Sequence, residues 1–376
     1  MSYNLWNDCP KVPITELLSF IVDNRGKTVP TAEKGHKLIA TNCVTNNTLF
    51  PVYEKVRYLS EETYQNWFRA HPLPGDILFV NKGTPGRVCM VPDPVDFCIA
   101  QDMIALRADD SKVYNKYLFA VLRSNVIQQQ IYNTNVGDVI PHFKKQFMDQ
   151  LLIPVPDRKI QESIGDLYYT LSYKAELNKK LNDNLQQQAQ TIYASMFIDN
   201  ADPTWEQGHL SDLITVKYGK DHKKLADGSY PVYGSGGIMR YVERPLYDKE
   251  TVLIPRKGTL NNVMYVNQPF WSVDTMFYTE MRLPNVAKFV YHFVKSKDLA
   301  SMNAGSAVPS MTTDILNAME VAIPSASALE EFESLVSPMY KAMQENDNQS
   351  EILAKLRDAL LPKLMSGEID VSDIQL

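Results

Sequence analysis

The stretch Asp76-Ile77-Leu78-Phe79-Val80-Asn81-Lys82-Gly83-Thr84 returns 175 residues later as Thr251-Val252-Leu253-Ile254-Pro255-Arg256-Lys257-Gly258-Thr259. In each copy a short apolar run reads as a strand, and Lys-Gly-Thr reads as the turn that ends it. Val88-Cys89-Met90-Val91 and Val263-Met264-Tyr265-Val266 then read as returning strands, so each copy predicts a hairpin-like tip with a basic residue at its base. Such a tip suits a DNA groove and equally suits a plain surface hairpin.

Further along, Gly137-Asp138-Val139-Ile140-Pro141 returns as Gly305-Ser306-Ala307-Val308-Pro309, and Ile153-Pro154 as Ile323-Pro324, at offsets of 168 and 170. Long helical patterns follow at an offset of 168: Ile164/Phe332, Leu167/Leu335, Leu171/Met339, Leu185/Leu353 and Ile192/Leu360. A nearly constant offset over so long a span implies one unit written twice, a globular part followed by a helix. A duplicated unit suits a target with two halves.

The first helix carries its apolar stripe on Ile160, Ile164, Leu167, Leu171, Leu177, Leu181, Leu185, Ala189, Ile192 and Met196. The second carries Leu329, Phe332, Leu335, Met339, Met343, Leu353, Leu356, Leu360 and Leu364, and Pro338 is expected to kink or interrupt it. About 40 residues of helix span roughly 60 Å. Narrow stripes on long helices need partners, and the simplest arrangement is an antiparallel, coiled-coil-like pair. The other reading packs each helix on its own globular part.

With 376 residues the chain has room for two or three domains. No run of about 18 apolar residues suggests a membrane span, and Met1-Ser2-Tyr3-Asn4-Leu5-Trp6 does not read as a signal peptide. Cys9, Cys43, Cys89 and Cys98 form no CxxC pair, so reduced thiols in the cytoplasm are expected rather than disulfides or zinc. The net charge is −6, but residues 1–155 and 206–325 each carry +1, and the helical stretches 156–205 and 326–376 carry −2 and −6. Acid is concentrated on the helices. The near-neutral globular parts leave room for a local basic face, which is enough for contact with phosphates, and fit plain neutral domains equally.

Copy two holds a glycine-rich loop, Tyr230-Pro231-Val232-Tyr233-Gly234-Ser235-Gly236-Gly237, that lets backbone N–H groups approach a phosphate. Upstream lie Lys217, Lys220, His222, Lys223 and Lys224. The nearest counterpart in copy one is Asp23-Asn24-Arg25-Gly26-Lys27-Thr28. This is no P-loop, since Ile21 stands where the earlier glycine belongs. Candidate DNA contacts are Arg25, Lys27, Lys82, Thr84, Arg87, Lys220, Lys223, Lys224, Tyr233, Ser235, Gly236, Lys257, Thr259, Asn261 and Asn262. Candidates for the helix pair and for subunit contact are Ile164, Leu167, Leu171, Leu181, Leu185, Ile192, Leu335, Met339, Leu353, Leu356, Leu360 and Leu364. No catalytic or metal-binding motif is present: no Pro-Pro dipeptide of the kind some methyltransferases use to hold a flipped base, no HExxH, no GxSxG and no zinc spacing.

In order along the chain stand Gly75-Asp76-Ile77-Leu78 with Lys82-Gly83-Thr84-Pro85-Gly86, Ile153-Pro154-Val155-Pro156 before Ile160-Gln161-Glu162, the Tyr230–Gly237 loop, and the ending Leu360-Leu361-Pro362-Lys363-Leu364-Met365-Ser366-Gly367-Glu368-Ile369. Together these resemble the specificity subunits of type I restriction-modification systems. The resemblance implies an α+β chain: a target-recognition domain over 1–155, a spacer helix over 156–203, a second recognition domain over 204–325 and a second spacer helix over 326–376. It further implies double-stranded DNA as a partner, two methylation subunits docked on the helices, and restriction subunits. The chain itself would be non-catalytic and bind no cofactor; S-adenosylmethionine, ATP and Mg would sit on the partners. The rival reading is a non-enzymatic adaptor whose repeats grip a protein.

Overall fold

The computed structural model describes residues 4–24, 26–134, 141–302 and 310–369. The strand Ile77–Val80 is buried along its whole length. Successive side chains of a strand point to opposite faces. Ile77 and Phe79 therefore enter one core with Tyr117, Leu118 and Leu122 of the helix Asn115–Leu122, while Leu78 and Val80 enter another with Ile39, Phe97 and Ile99. Being covered on both faces is why the run is continuously apolar. Copy two does the same. Val252 and Ile254 pack with Phe289 and Val290 of the helix Ala287–Lys295, and Leu253 packs with Val232 and Trp271.

The repeat is complete at the level of sheet topology. In copy one the main sheet is antiparallel in the order Leu18–Asp23, Met103–Ala108, Ile77–Val80, Val88–Met90. In copy two it runs Ile214–Tyr218, Met276–Met281, Thr251–Pro255, Met264–Val266, again antiparallel. The expected hairpins are present in both. Each copy adds a three-stranded sheet whose central strand, His36–Ile39 or Asp227–Gly234, pairs antiparallel on one side and parallel on the other. Each also has a short antiparallel ribbon, Lys11–Pro13 with Leu152–Pro154 or Glu206–His209 with Glu320–Ile323, shortly before its long helix.

This topology corrects one pairing. The glycine-rich loop of copy two lies at the end of Asp227–Gly234, whose counterpart is His36–Ile39 and not the segment 23–28. Residues 24–28 follow the first strand of their sheet just as the basic segment 219–224 follows Ile214–Tyr218.

The long helices are Arg158–Ala194, continued by a wider turn over Ser195–Asp199, and Ala326–Ser366. The chain packs as two units, residues 1–181 with 345–376 and residues 182–344. The division cuts each long helix in its middle. Each globular part is therefore served by the first half of its own helix and the second half of the other. In unit one, Ile164 and Tyr168 share a core with Leu361, Leu364 and Met365. In unit two, Ala189 and Tyr193 share one with Phe332, Val336 and Tyr340. In both units the segments run antiparallel. Arg357 lies over the Tyr168 ring, at 5.7 Å, and Asn178 Nδ2 donates to Gln349 Oε1 at 2.8 Å. In unit two Asn182 Nδ2 donates to the Met343 carbonyl at 3.1 Å, and Tyr193 stacks edge-on to Phe332 at 6.2 Å.

Two expectations about the helices are corrected. The second helix runs through Pro338 without the expected interruption. Pro338 and Ser334, whose carbonyl loses its partner, are both exposed, so water replaces the missing bond. Ile164, Ala189, Leu329, Phe332 and Leu364 of the expected stripes are buried, but between them the most buried positions lie one residue further on, at Tyr168 and Ser172 rather than Leu167 and Leu171, and at Val336 and Tyr340 rather than Leu335 and Met339. The cause is a close approach that apolar lettering does not reveal. A Cβ at Gly165 would stand 2.6 Å from the Tyr117 backbone nitrogen, so only glycine admits the helix Asn115–Leu122 there. The buried positions also include Gln161 and Asn178, which are polar and hydrogen-bonded.

All four cysteines are buried free thiols. Among the described residues no helix is long and apolar enough to cross a membrane.

Candidate nucleic-acid interface

The Lys-Gly-Thr turn is the same construction in both units. In unit one Asn81 N and Lys82 N donate to the Asp102 carbonyl at 3.1 and 3.3 Å, and Phe143 N donates to Asn81 O at 2.8 Å. In unit two Arg256 N and Lys257 N donate to Thr275 O at 2.9 and 3.2 Å, and Met311 N donates to Arg256 O at 2.9 Å. Lys82 forms an isolated antiparallel bridge with His142, and Lys257 forms one with Ser310. Gly83 and Gly258 both take φ +86°, which only glycine adopts without strain. A three-way backbone clamp thus holds each turn rigid, while the side chains of Lys82 and Lys257 stand exposed. An exposed ammonium on a fixed backbone is a good phosphate partner.

In unit two the turn meets the glycine-rich loop, 22 residues away in sequence. Asn262 Nδ2 donates to the Ser235 carbonyl at 2.8 Å. A Cβ on Gly258 would come within 2.5 Å of Ser235 Oγ. Ser235 and Gly236 form the tip between Asp227–Gly234 and Gly237–Val242, whose Ile238, Met239 and Tyr241 are exposed. Tyr233 is buried, and its hydroxyl accepts from Gln268 Nε2 at 3.2 Å.

The other candidates divide between exposed and engaged groups. Lys27, Arg87, Lys220, Lys223, Lys224 and Thr259 are exposed. The backbone of Lys220 is pinned, its carbonyl accepting from Trp271 Nε1 at 2.8 Å. Thr84 is half-buried, with its hydroxyl oxygen unpartnered. Asn261 is held from both sides, donating to Asp298 Oδ1 at 2.9 Å and accepting from Ala300 N at 3.0 Å. Lys217, of the basic cluster, lies 3.5 Å from Glu280 Oε2. Arg25 lies outside the described residues, as do residues 137–140 and 305–309 of the second repeated motif.

Sequence reasoning overlooked Arg256 and Tyr218. The Arg256 guanidinium lies over the exposed Tyr218 ring, 5.4 Å from its centroid, one residue from Lys257. Arg256 stands inside the repeated motif, and Tyr218 ends the strand before the basic cluster; only the fold joins them.

The helix candidates also divide. Ile164 and Leu364 are buried, and Leu167, Leu171, Leu185, Ile192, Met339, Leu353 and Leu360 are half-buried. Leu181, Leu335 and Leu356 are exposed, at 51%, 46% and 44%, as is Ile352 at 65%. Among the described residues no group of three His, Cys, Asp or Glu side chains is placed to hold a metal ion.

A family model for the type I restriction modification DNA specificity domain matches this chain twice, over residues 27–187 and 203–359. The type I restriction enzyme MjaIX specificity subunit of Methanocaldococcus jannaschii is 21% identical over 343 residues, covering 80% of this chain and 79% of that protein. The HindI specificity subunit of Haemophilus influenzae is 20% identical over 412 residues, covering 78% of this chain and 86% of that one. The crystal structure of a type I restriction-modification S subunit from M. genitalium is 19% identical and matches with a TM-score of 0.57 over 95% of this chain and 96% of that one, a likeness of fold.

Proposed function

Since the chain belongs to the type I restriction modification DNA specificity family and carries its domain twice, we propose that it is the sequence-recognition subunit of a type I restriction-modification complex. Each globular part reads one half of a bipartite, asymmetric site in double-stranded DNA. The observation that carries this reading is the turn built twice, with Lys82 and Lys257 exposed on clamped backbones at matching places. In unit two the basic segment at Lys220, Lys223 and Lys224 and the Ser235-Gly236 tip extend the same surface.

In this reading the chain is non-catalytic and works in the cytoplasm. Two methylation subunits dock on the helix pair, where Leu181, Ile352 and Leu356 stand exposed. Those subunits bring S-adenosylmethionine and the adenine chemistry, and restriction subunits bring ATP and Mg. Spacer helices of fixed length would make the gap between half-sites geometric.

Methylome sequencing of cells with and without this gene and its neighbours tests the proposal. Loss of methylation at one split motif on deletion is the expected result. An unchanged methylome, together with no salt-dependent DNA binding by the chain assembled with its methylation subunit, would favour a protein-binding adaptor instead.

A further inference from the structure

Unit one contains a cavity of about 520 Å³ that the DNA-reading surface does not use. Its walls include Trp6, Arg123, Tyr168, Arg357, Asp358 and Leu361. Two of these are guanidinium groups withdrawn from water, Arg123 at 8% and Arg357 at 5% exposure. Removing a cation from water is costly unless it is paired. Arg123 Nη2 is satisfied by three carbonyls, those of Thr45, Thr48 and Val88, at 3.2, 2.5 and 2.8 Å. Its Nε and Nη1 are closed off from solvent with no hydrogen-bond partner among the described residues, and its Cζ lies over the Phe119 ring, 4.4 Å from the centroid. Among the described residues the Arg357 guanidinium donates only through Nε, to Asp358 Oδ1 at 2.8 Å, and Asp358 is itself largely solvent-exposed. Burial first lowers the pKa of Arg123 from its ordinary value, neighbouring Tyr168 pushes it back up, and the positive charge of Arg357 adds the smallest push down. Among the described residues that line it, the cavity therefore has two cations to one screened carboxylate.

The repeat provides an internal control. The helix Asn115–Leu122 with Arg123-Ser124 corresponds to Ala287–Lys295 with Ser296, which places Lys295 opposite Arg123. At the helix offset of 168, Arg357 corresponds to Ala189 and Asp358 to Gln190. In unit two Ala189 is buried in the core, Lys295 donates to the Tyr291 hydroxyl, and Gln190 accepts from His292 Nδ1 at 2.7 Å. The second copy fills this place with self-satisfied groups. A paired-arginine cavity is therefore not something the fold needs, and only unit one builds it.

We propose that this cavity binds a small organic oxyanion, with its carboxylate or phosphate on the Arg357 guanidinium, in the field of the buried Arg123, and its apolar body against Trp6 and Leu361. Arginine's fork of N–H groups matches both oxyanions, and the size is in the ordinary range for a small-molecule site. The inference rests on unit one alone and not on what the chain does with DNA.

The full chain is titrated by calorimetry with sodium phosphate and, separately, with sodium acetate, against sodium chloride of equal ionic strength. Arg357→Met and Asp358→Asn are titrated alongside, with circular dichroism to verify folding. The expected result is saturable binding of at least one probe, lost in R357M and tightened by about threefold or more in D358N, which lacks the competing carboxylate. The probe that binds identifies which oxyanion the site prefers. D358N alters an exposed side chain, so it decides the matter if R357M does not fold. Absence of saturable binding to either probe overturns the proposal, as does binding that D358N leaves unchanged.

Discussion

Lys288 Nζ lies 2.7 Å from Glu333 Oε1, joining a recognition-domain helix to the second long helix, and a second carboxylate, Glu250 Oε1, lies 2.9 Å away. In unit one Lys116 occupies the matching place and reaches Asp166 Oδ1 on the first long helix at 2.6 Å. The same residue type fastens each globular part to its own helix, but the surroundings differ. Lys288 is 4% exposed and Lys116 is one-third exposed.

That difference gives unequal costs for equal deletions. Lys288→Met strands two partly buried carboxylates and is expected to cost about 2–3 kcal/mol, less than a fully buried pair because both glutamates keep some solvent. Lys116→Met should cost under about 1 kcal/mol. Urea unfolding of the full chain, following unit two and unit one separately by hydrogen exchange, checks the ranking. Equal costs would contradict it.

Acid should loosen unit two through His292. Its Nδ1 donates to Gln190 Oε1 and its Nε2 accepts from the Tyr340 hydroxyl at 2.9 Å, a pattern that fits the neutral ring. Burial first, and Lys295 second, push its pKa down to about 3. The folded state therefore binds fewer protons than the unfolded state between about 3 and the ordinary 6.5. Stability from this group is fully present above 6.5 and is lost as pH falls, by up to about 1.4 kcal/mol per pH unit. The variant His292→Gln should show a shallower fall between pH 7 and pH 4 than the parent, whatever its stability at pH 7. Parallel curves would refute the assignment.

Exposed and buried helix leucines should separate folding from assembly. Leu364→Glu puts a carboxylate into a core and should cost several kcal/mol. Leu356→Glu and Ile352→Glu alter exposed positions and should leave thermal stability nearly unchanged. Under the docking proposal the same two variants should weaken co-purification with the methylation subunit. Retained assembly in both would move the docking surface elsewhere.

Lys82→Ala and Lys257→Ala should each weaken DNA binding by the assembled complex without altering its stability. If the lysines meet phosphates, affinity falls about equally on all sequences and the salt slope drops by about one. If they meet base edges, the loss is confined to one half-site, at roughly 1–3 kcal/mol. Gly258→Ala should lower affinity differently, since its Cβ would displace Ser235 and distort the tip. Wild-type affinity in all three variants would leave the turns a purely structural device.

What the amino-acid order determined by itself is what neighbouring residues decide among themselves. Apolar runs closed by Lys-Gly-Thr made two hairpins, three- and four-residue spacing made two long helices, and a constant offset made the chain a duplicate; each is a local periodicity or a copy of one. Tertiary structure decided what depends on contacts between distant residues. In unit one polar Gln161 and Asn178 and the missing side chain of Gly165 joined Ile164 on the buried face, because hydrogen bonds and close approach shape that seam along with hydropathy. Pro338 stayed within an unbroken helix, where the carbonyl it leaves without a partner belongs to the exposed Ser334. Ser235 came to rest against Gly258, and Arg123 came to share a cavity with Arg357, only once strands and helices far apart in sequence were packed together, and no local pattern encodes such a meeting.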